Sequence, residues 1–226
     1  MAQIGYGYGS EFQLLRFLGH HRNVLEETIR KTIGIYHGNF YWFDFDFADR
    51  EKTISGDNEM CGLSFLEKLV PNISSVCQEI KTYPWNFDKW QYWDAVFILD
   101  NVLYFVEAKA HKDELKSGNK VHGGTHSKEI LAFMKSQFNC ANENWLRDYY
   151  QFANRLSTIS FLNSKDVICK LVNLYFVDGY YDRERGINKD TKEDSFRNEI
   201  KQELKTLGIG EEQNKYVIDV FIDANP

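Results

Sequence analysis

The sequence lacks the cysteine spacing of a zinc ribbon or of a disulfide framework. Its four cysteines, Cys61, Cys77, Cys140 and Cys169, are far apart and form no CxxC pair. Zinc ribbons and small disulfide-stabilised domains depend on closely spaced or numerous cysteines. We therefore expect these four residues to be buried thiols.

Long apolar runs and an excess of positive charge are also missing. No stretch is apolar for long enough to span a bilayer, and residues 1–10 lack the charged-then-apolar pattern of a secretory signal. We therefore expect a soluble, cytoplasmic protein without a membrane partner. The formal net charge of −6 argues against a protein that coats nucleic acid nonspecifically, because that affinity comes from neutralising phosphates. The basic part is residues 109–135, with six lysines and three histidines against three acids.

What the sequence does contain is enough apolar material for one core. It has 226 residues, of which 43% are hydrophobic and 15% aromatic, so we expect a single domain over residues 1–226. Periodicity and capping residues predict helices over residues 10–33, 62–70, 128–138, 143–162 and 195–207, and strands over residues 39–49, 92–99, 102–110, 171–177 and 216–222. This order predicts an α/β (α+β) fold, with a mixed central sheet flanked by helices, an extra N-terminal strand region and a C-terminal helix and strand.

The apolar stripe of the first predicted helix carries an acid. Leu15, Leu18, Leu25 and Ile29 follow helical spacing, and Glu11 lies four residues before Leu15. A carboxylate is thus predicted at the N-terminal end of the core-facing stripe.

The strands over residues 92–99 and 102–110 are joined by Asp100 and Asn101, which predicts a hairpin with a short loop. Residues that face each other across such a loop have numbers that sum to 201, so Asp94 is expected to face Glu107. Opposed residues of an antiparallel pair have Cβ atoms about 4.5–5.5 Å apart. Lys109 is two residues beyond Glu107 and is expected on the same face.

Two carboxylates opposed in a buried hairpin need compensation by a proton or a cation. A divalent metal is a natural choice, because Mg²⁺ takes oxygen ligands and keeps waters that leave room for phosphate oxygens. Such an ion lowers the pKa of a bound water and offsets charge on a scissile phosphate. Lys109 could orient the water or stabilise the transition state as a fixed positive charge.

A structural interpretation is the alternative, in which Glu107 and Lys109 form only a surface pair on an edge strand. Both strands, however, are apolar on both faces, which is typical of central strands. The residues beside the acids are Val96, Ile98, Leu103 and Phe105, and those behind them are Ala95, Phe97, Val106 and Ala108.

The segment WDAVFILDNVLYFVEAKAH, residues 93–111, resembles the D…(D/E)xK signature of the PD-(D/E)XK nuclease superfamily. The resemblance implies a restriction-endonuclease-like core of a helix, a three-stranded meander, a helix and a further strand. It further implies that Asp94 and Glu107 are metal ligands and that Lys109 is the catalytic lysine. Glu11 is the best match for the acid that the first helix adds to the metal and catalytic site in many members. Trp93 stands where the family name has proline, a position that often departs from proline in the superfamily.

The helix predicted over residues 143–162 resembles the second core helix of the same superfamily. That helix often offers glutamine, lysine or arginine to the site, which implies Gln151 and Arg155 as substrate-binding residues.

The hypothesis is therefore a Mg²⁺- or Mn²⁺-dependent phosphodiesterase acting on nucleic acid, with DNA favoured over RNA. One alternative is a catalytically inactive module with the nuclease fold, in a defence or mobile-element system, which the acidic net charge favours. Another is a glycosidase-type hydrolase, in which two carboxylates about 5 Å apart suit a retaining mechanism. Lys109 in the same patch, and the lack of an evident sugar-stacking cleft, disfavour it. The sequence leaves open a homo-oligomer or a protein partner.

Overall fold

The computed structural model describes residues 9–43, 60–68, 91–117, 124–179 and 189–226. The helices are α1 (Ser10–His20), α2 (Arg22–Ile33), α3 (Thr125–Gln137), α4 (Tyr150–Ser164) and α5 (Glu193–Leu207). The strands are β1 (Tyr41–Trp42), β2 (Met60–Cys61), β3 (Tyr92–Trp93), β4 (Ala95–Leu99), β5 (Val102–Lys109), β6 (Cys169–Val177) and β7 (Val217–Asp223). Short 3₁₀ helices span Ser64–Lys68, Lys112–Leu115 and Glu143–Leu146.

The main sheet has five strands in the order β1-β4-β5-β6-β7. Strands β1, β4 and β5 are antiparallel neighbours, whereas β5, β6 and β7 run parallel to one another. The parallel connections pass through α3 and α4, and then through α5. Strands β2 and β3 form a separate two-stranded sheet. The predicted α+β fold, with a mixed sheet flanked by helices, is confirmed.

Both faces of the sheet are buried, as the apolar character of β4 and β5 predicts. On one face, α1 and α2 pack on the sheet through Leu14, Phe17, Leu25 and Ile29. On the other face, α3 and α4 cover the alternate residues of the same strands. The core on that side includes Val96, Phe105, Met134, Leu156 and Leu171. The central strand β5 is therefore enclosed on both sides.

The hairpin between β4 and β5 has the predicted register. The strand pairs run from Leu99 with Val102 to Ala95 with Val106. Asp100 and Asn101 have φ of 50° and 60°, the left-handed conformation that a two-residue type I′ hairpin turn requires at both positions.

The prediction of one helix over residues 10–33 is wrong, because the chain breaks between α1 and α2. At His21 the backbone leaves the helical region, with φ of −126° and ψ of 28°. The side chain of Arg22 then donates from Nε to the carbonyl oxygen of Leu18 at 2.9 Å. That carbonyl would accept the backbone N–H of Arg22 in a continuous helix, so the side chain replaces the lost bond. Gly19, a poor helix former, lies in the last turn of α1.

Other predicted elements are shorter than expected. Residues 143–162 do not form one helix: a 3₁₀ turn, in which Asn142 Oδ1 accepts the N–H of Asn144 at 2.9 Å, precedes α4. Of the strand predicted over residues 39–49, β1 contains two residues, and residues 44–49 lie outside the described part. Residues 69 and 70 of the helix predicted over 62–70 also lie outside it. Helix α5 ends, as predicted, at Gly208, which has φ of 69°.

Two further predictions concern membranes and thiols. Within the ranges that the structure describes, no helix is long and apolar enough to cross a membrane. Cys169 is a buried free thiol, as expected, whereas Cys140 is only partly buried. The side chains of Cys61 and Cys77 lie outside the described residues.

Candidate functional site

Strand β5 brings Glu107 and Lys109 to the same face of the sheet, because side chains two residues apart point the same way. Lys109 Nζ lies 2.5 Å from Glu107 Oε1 and donates to Gln151 Oε1 at 3.1 Å. The side chains of Lys109 and Glu107 are 13% and 6% exposed. The alternative interpretation, a surface pair on an edge strand, is therefore excluded, since β5 is central and the pair is buried.

Arg155 on α4 joins this pair from above the sheet. Its Nε lies 2.5 Å from Glu107 Oε2, and its second terminal nitrogen donates to the carbonyl oxygen of Tyr92 at 2.8 Å. The guanidinium also lies 5.5 Å from the centre of the Trp93 ring. Arg155 thus holds both the acid of β5 and the segment that leads to Asp94.

Asp94 lies at a bend between β3 and β4, and not in a regular strand pair with Glu107. Strand pairing ends with Ala95 and Val106, and the N–H of Asp94 donates to Val106 O at 3.2 Å. Asp94 Oδ2 accepts the N–H of Ala108 at 2.6 Å, so the carboxylate takes the position of a strand neighbour. The predicted register is wrong at this one residue, although the negative charge of Glu107 still acts on Asp94.

The same bend is held against α4 by a buried amide. Gln91 Nε2 donates to Asn154 Oδ1 and, at 2.6 Å, to Thr158 Oγ1. Gln91 and Asn154 are each 5% exposed. Asn154 and Thr158 lie on the same helix as Arg155. Helix α4 therefore positions both the bend that carries Asp94 and the side chain of Glu107 on β5.

Burial and neighbouring charges shift the pKa values of Asp94 and Glu107 in opposite directions. Burial, helped by the charge of Glu107, raises the pKa of Asp94 to about 8. Burial alone would also raise the pKa of Glu107, but Arg155 and Lys109 outweigh it and hold that pKa below its usual range. Burial would lower the pKa of Lys109, yet Glu107 and Asp94 outweigh it and raise that pKa. Glu107 is therefore the ionised acid of the pair, and Asp94 is largely protonated at neutral pH.

The sequence suggested a metal as the compensation for these acids, whereas the structure gives Glu107 two protein cations. Lys109 faces Oε1 and Arg155 faces Oε2. Oε2 is nevertheless buried without a hydrogen bond from the described residues, so the close Arg155 contact is an ion pair of poor hydrogen-bond geometry.

A polar row across the parallel strands was not predicted. Glu107 pairs with Asn173 of β6, which pairs with Asp219 of β7. Asp219 Oδ1 accepts the side-chain N–H of Asn173 at 3.0 Å and the hydroxyl of Tyr175 at 3.2 Å. The signal available in the sequence was one polar residue inside each apolar strand, but it does not tell which strands are neighbours.

A cavity opens over this row and extends the site toward α5. Its empty volume is about 300 Å³, including space open to solvent. Glu203 lines it from α5 and is 3% exposed. The other polar residues of its wall are Glu107, Lys109, Gln151, Arg155, Asn173 and Tyr175. Glu203 was not predicted either. The available signal was its place on the apolar stripe of α5, which also carries Phe196 and Leu207; Glu11 lies on the apolar stripe of the first helix in the same way.

Glu11 is the one predicted site residue outside the contacts described for this cluster. Its helix packs through Leu14 and Phe17 on the face of the sheet opposite to Glu107 and Lys109. The contribution of Glu11 to metal binding and catalysis stays a prediction. The structure brings together the other five predicted residues: Asp94, Glu107, Lys109, Gln151 and Arg155.

The donor set fits a hard cation with few protein ligands. Within the described ranges, no group of three or more histidine, cysteine, aspartate or glutamate side chains is placed to hold a metal ion. Mg²⁺, however, is commonly held by one or two carboxylates, with waters and substrate phosphates completing the shell. Asp94 and Glu107 supply two carboxylates, and a metal ion would share the second of them with Lys109 and Arg155.

Comparison with models of protein families, with curated proteins and with solved structures finds no match to this chain.

Proposed function

We propose that this protein is a metal-dependent phosphodiesterase of the PD-(D/E)XK type that acts on nucleic acid, with DNA as the favoured substrate. The observation that carries the proposal is the buried cluster of Asp94, Glu107 and Lys109, with Gln151 bonded to the lysine. Such a cluster is costly to bury, and acids with opposite pKa shifts beside a lysine are typical of functional sites.

Asp94 and Glu107 would hold Mg²⁺ or Mn²⁺, which supplies an activated water and offsets charge on the scissile phosphate. Lys109 supplies a positive charge that stabilises the negative charge that develops on that phosphate. Gln151 Oε1 accepts from Lys109 Nζ and so sets the direction of the ammonium. Arg155 fixes the Glu107 carboxylate from α4, and it faces the same cavity.

A second function, a catalytically inactive module with this fold, is favoured by one observation. Glu107 already has a cation at each oxygen, so the cluster is neutralised without a metal. A protein with this role would bind a partner and leave nucleic acid intact.

The test is a cleavage assay with the purified full chain on supercoiled plasmid, linear duplex, single-stranded DNA and single-stranded RNA, with Mg²⁺, Mn²⁺ or EDTA. We expect cleavage of DNA that requires the divalent ion. Lys109→Ala should reduce the rate by roughly two to three orders of magnitude, since it removes one stabilising charge. Asp94→Asn should abolish the divalent-dependent cleavage, since it removes one of the two proposed metal ligands.

The matched control is Lys112→Ala, which removes a lysine three residues away whose side chain is 40% exposed and pairs with Asp190. It should cleave like the wild type. No cleavage of any substrate, together with no Mn²⁺ binding by calorimetry, would refute the enzyme and leave the inactive module. Cleavage of RNA alone would correct the substrate.

A further inference from the structure

Glu203 is a buried acid without an assigned partner beside the proposed site. It is 3% exposed, and the described part of the chain provides it with neither a hydrogen bond nor an ion pair. Its neighbour on α5, Glu199, shows the usual solution: it accepts the hydroxyl of Tyr149 at 2.7 Å and pairs with Lys116 at 3.2 Å. Burial without such partners raises the pKa of Glu203 above its usual range, so its carboxylate form would gain from a cation brought close to it.

The charges around Glu203 indicate which group could pair with it. Asp219 of β7 and Glu199 of its own helix are acids and oppose its ionisation. Lys109 of β5 is the cation that acts on it, and both residues line the same cavity. The four-carbon stem of a lysine is flexible, so its ammonium can take more than one position along the wall that these residues share.

A divalent ion at Glu107 would disturb the two cations already there. Arg155 is fixed by the carbonyl oxygen of Tyr92 and by its contact with the Trp93 ring. Among the described residues, Lys109 donates hydrogen bonds to Glu107 and to Gln151. Its ammonium is a compact charge on a flexible side chain, and it is therefore held less firmly than the guanidinium. Repulsion from the incoming ion would therefore move the lysine and leave the arginine in place.

We propose that Glu203 is a positioning residue that accepts Lys109 when a divalent ion takes Glu107. The ammonium turns from the Glu107 carboxylate to the Glu203 carboxylate across the cavity and stays beside the substrate phosphate. Asp94 and Glu107 then face the ion, Arg155 stays on Glu107, and Glu203 gives the displaced lysine a counter-charge of its own. This inference rests on the proposed metal site, and it assigns to α5 a part in a site otherwise built from β3 to β5 and α4.

Calorimetric titration of the full chain with Mn²⁺ tests it. Glu203→Gln should bind Mn²⁺ about tenfold more weakly than the wild type, which corresponds to roughly 1.4 kcal/mol. In the metal-free state its melting temperature should be equal or higher, because a buried acid without a partner has become a neutral amide. The matched control Glu199→Gln, four residues away on the same helix, should keep the wild-type affinity.

A double-mutant cycle separates a pair with Lys109 from a general effect of negative charge. In the Lys109→Gln background, Glu203→Gln should change the Mn²⁺ affinity by less than about twofold, because the lysine is gone. An equal loss of affinity in both backgrounds would overturn the inference and leave the metal site standing.

Crystal structures of the wild type with and without Mn²⁺ give a test that needs no variant. With the ion bound, Lys109 Nζ should lie within ion-pair distance of the Glu203 carboxylate, and without it at Glu107. A bound ion with the lysine still on Glu107 overturns this inference alone. A wild-type protein that binds no Mn²⁺ overturns the proposed metal site, and the inference falls with it.

Discussion

Arg155 and Glu107 form an ion pair inside the protein, with 2.5 Å between Nε and Oε2 and with both side chains less than a tenth exposed. The pair connects helix α4 to the central strand β5. Two charges removed from water are stable only while each keeps its counter-charge. The same contact therefore makes the site rigid and makes the fold sensitive to the loss of either residue.

Glu107→Gln is expected to destabilise the fold strongly. It leaves two buried cations, Lys109 and Arg155, without their shared carboxylate, which costs about 3–5 kcal/mol in buried pairs that lose one partner. Urea denaturation followed by far-UV circular dichroism measures the change in the free energy of unfolding. The control is Glu193→Gln, whose partner Arg197 is half exposed, and which should cost less than about 1 kcal/mol. Equal effects of the two substitutions would mean that the buried pair carries no special cost.

The turn between β4 and β5 should be improved by glycine at its second position. Asn101 has φ of 60°, where asparagine is tolerated and glycine is free of strain. Asn101→Gly should raise the free energy of unfolding by about 0.5 kcal/mol, whereas Asn101→Val, a β-branched residue, should lower it by at least about 1 kcal/mol. Thermal denaturation of the two variants measures both changes. A stable valine variant would show that the turn is free to adopt another type.

The local part of this site could be predicted because short-range rules decide it. The two-residue turn fixes which residues of β4 and β5 face each other, and helical spacing puts Gln151 and Arg155 on one side of α4. The predicted register fails only at Asp94, where the chain bends. The bend depends on two contacts with the distant helix α4, one made by Gln91 and one made by Arg155. Such tertiary contacts leave no periodic signal in the sequence.

The polar row was missed for a different reason. Asn173 and Asp219 lie in parallel strands, which are joined to their neighbours by long helical connections and not by tight turns. Their register follows from the packing of α4 and α5 on the sheet, which the sequence pattern does not determine. Likewise, a metal was the expected compensation for Glu107 because Arg155 was predicted to bind substrate and not to pair with this carboxylate.

Arg155→Lys should destabilise the protein although it keeps the charge. An ammonium cannot face Glu107, donate to the Tyr92 carbonyl and stay near the Trp93 ring at the same time. We expect a loss of about 2 kcal/mol, the scale of a hydrogen bond to a charged group. The control is Arg147→Lys, an exposed arginine just before α4, which should be neutral within about 0.5 kcal/mol. A lysine variant as stable as the wild type would show that only the charge matters at this position.

Asp94 should make the stability of the protein fall as pH rises from about 4 to about 8. Its pKa is 3.8 as an ordinary carboxyl and about 8 in the folded protein, where burial and the charge of Glu107 disfavour ionisation. Between these values the folded state holds a proton that the unfolded state has lost, so each pH unit lowers the free energy of unfolding by up to about 1.4 kcal/mol.

Asp94→Asn isolates this effect, because the amide oxygen can still accept the N–H of Ala108 but has no proton to lose. The free energy of unfolding of the wild type minus that of the variant should fall from pH 5 to pH 8 and stay constant above pH 8. Parallel pH profiles would contradict the raised pKa.

Because a metal ion must displace the proton from Asp94, the Mn²⁺ affinity of the wild type should rise up to about tenfold per pH unit over the same window and level off above pH 8. An affinity independent of pH below 8 would mean that the ion binds without Asp94.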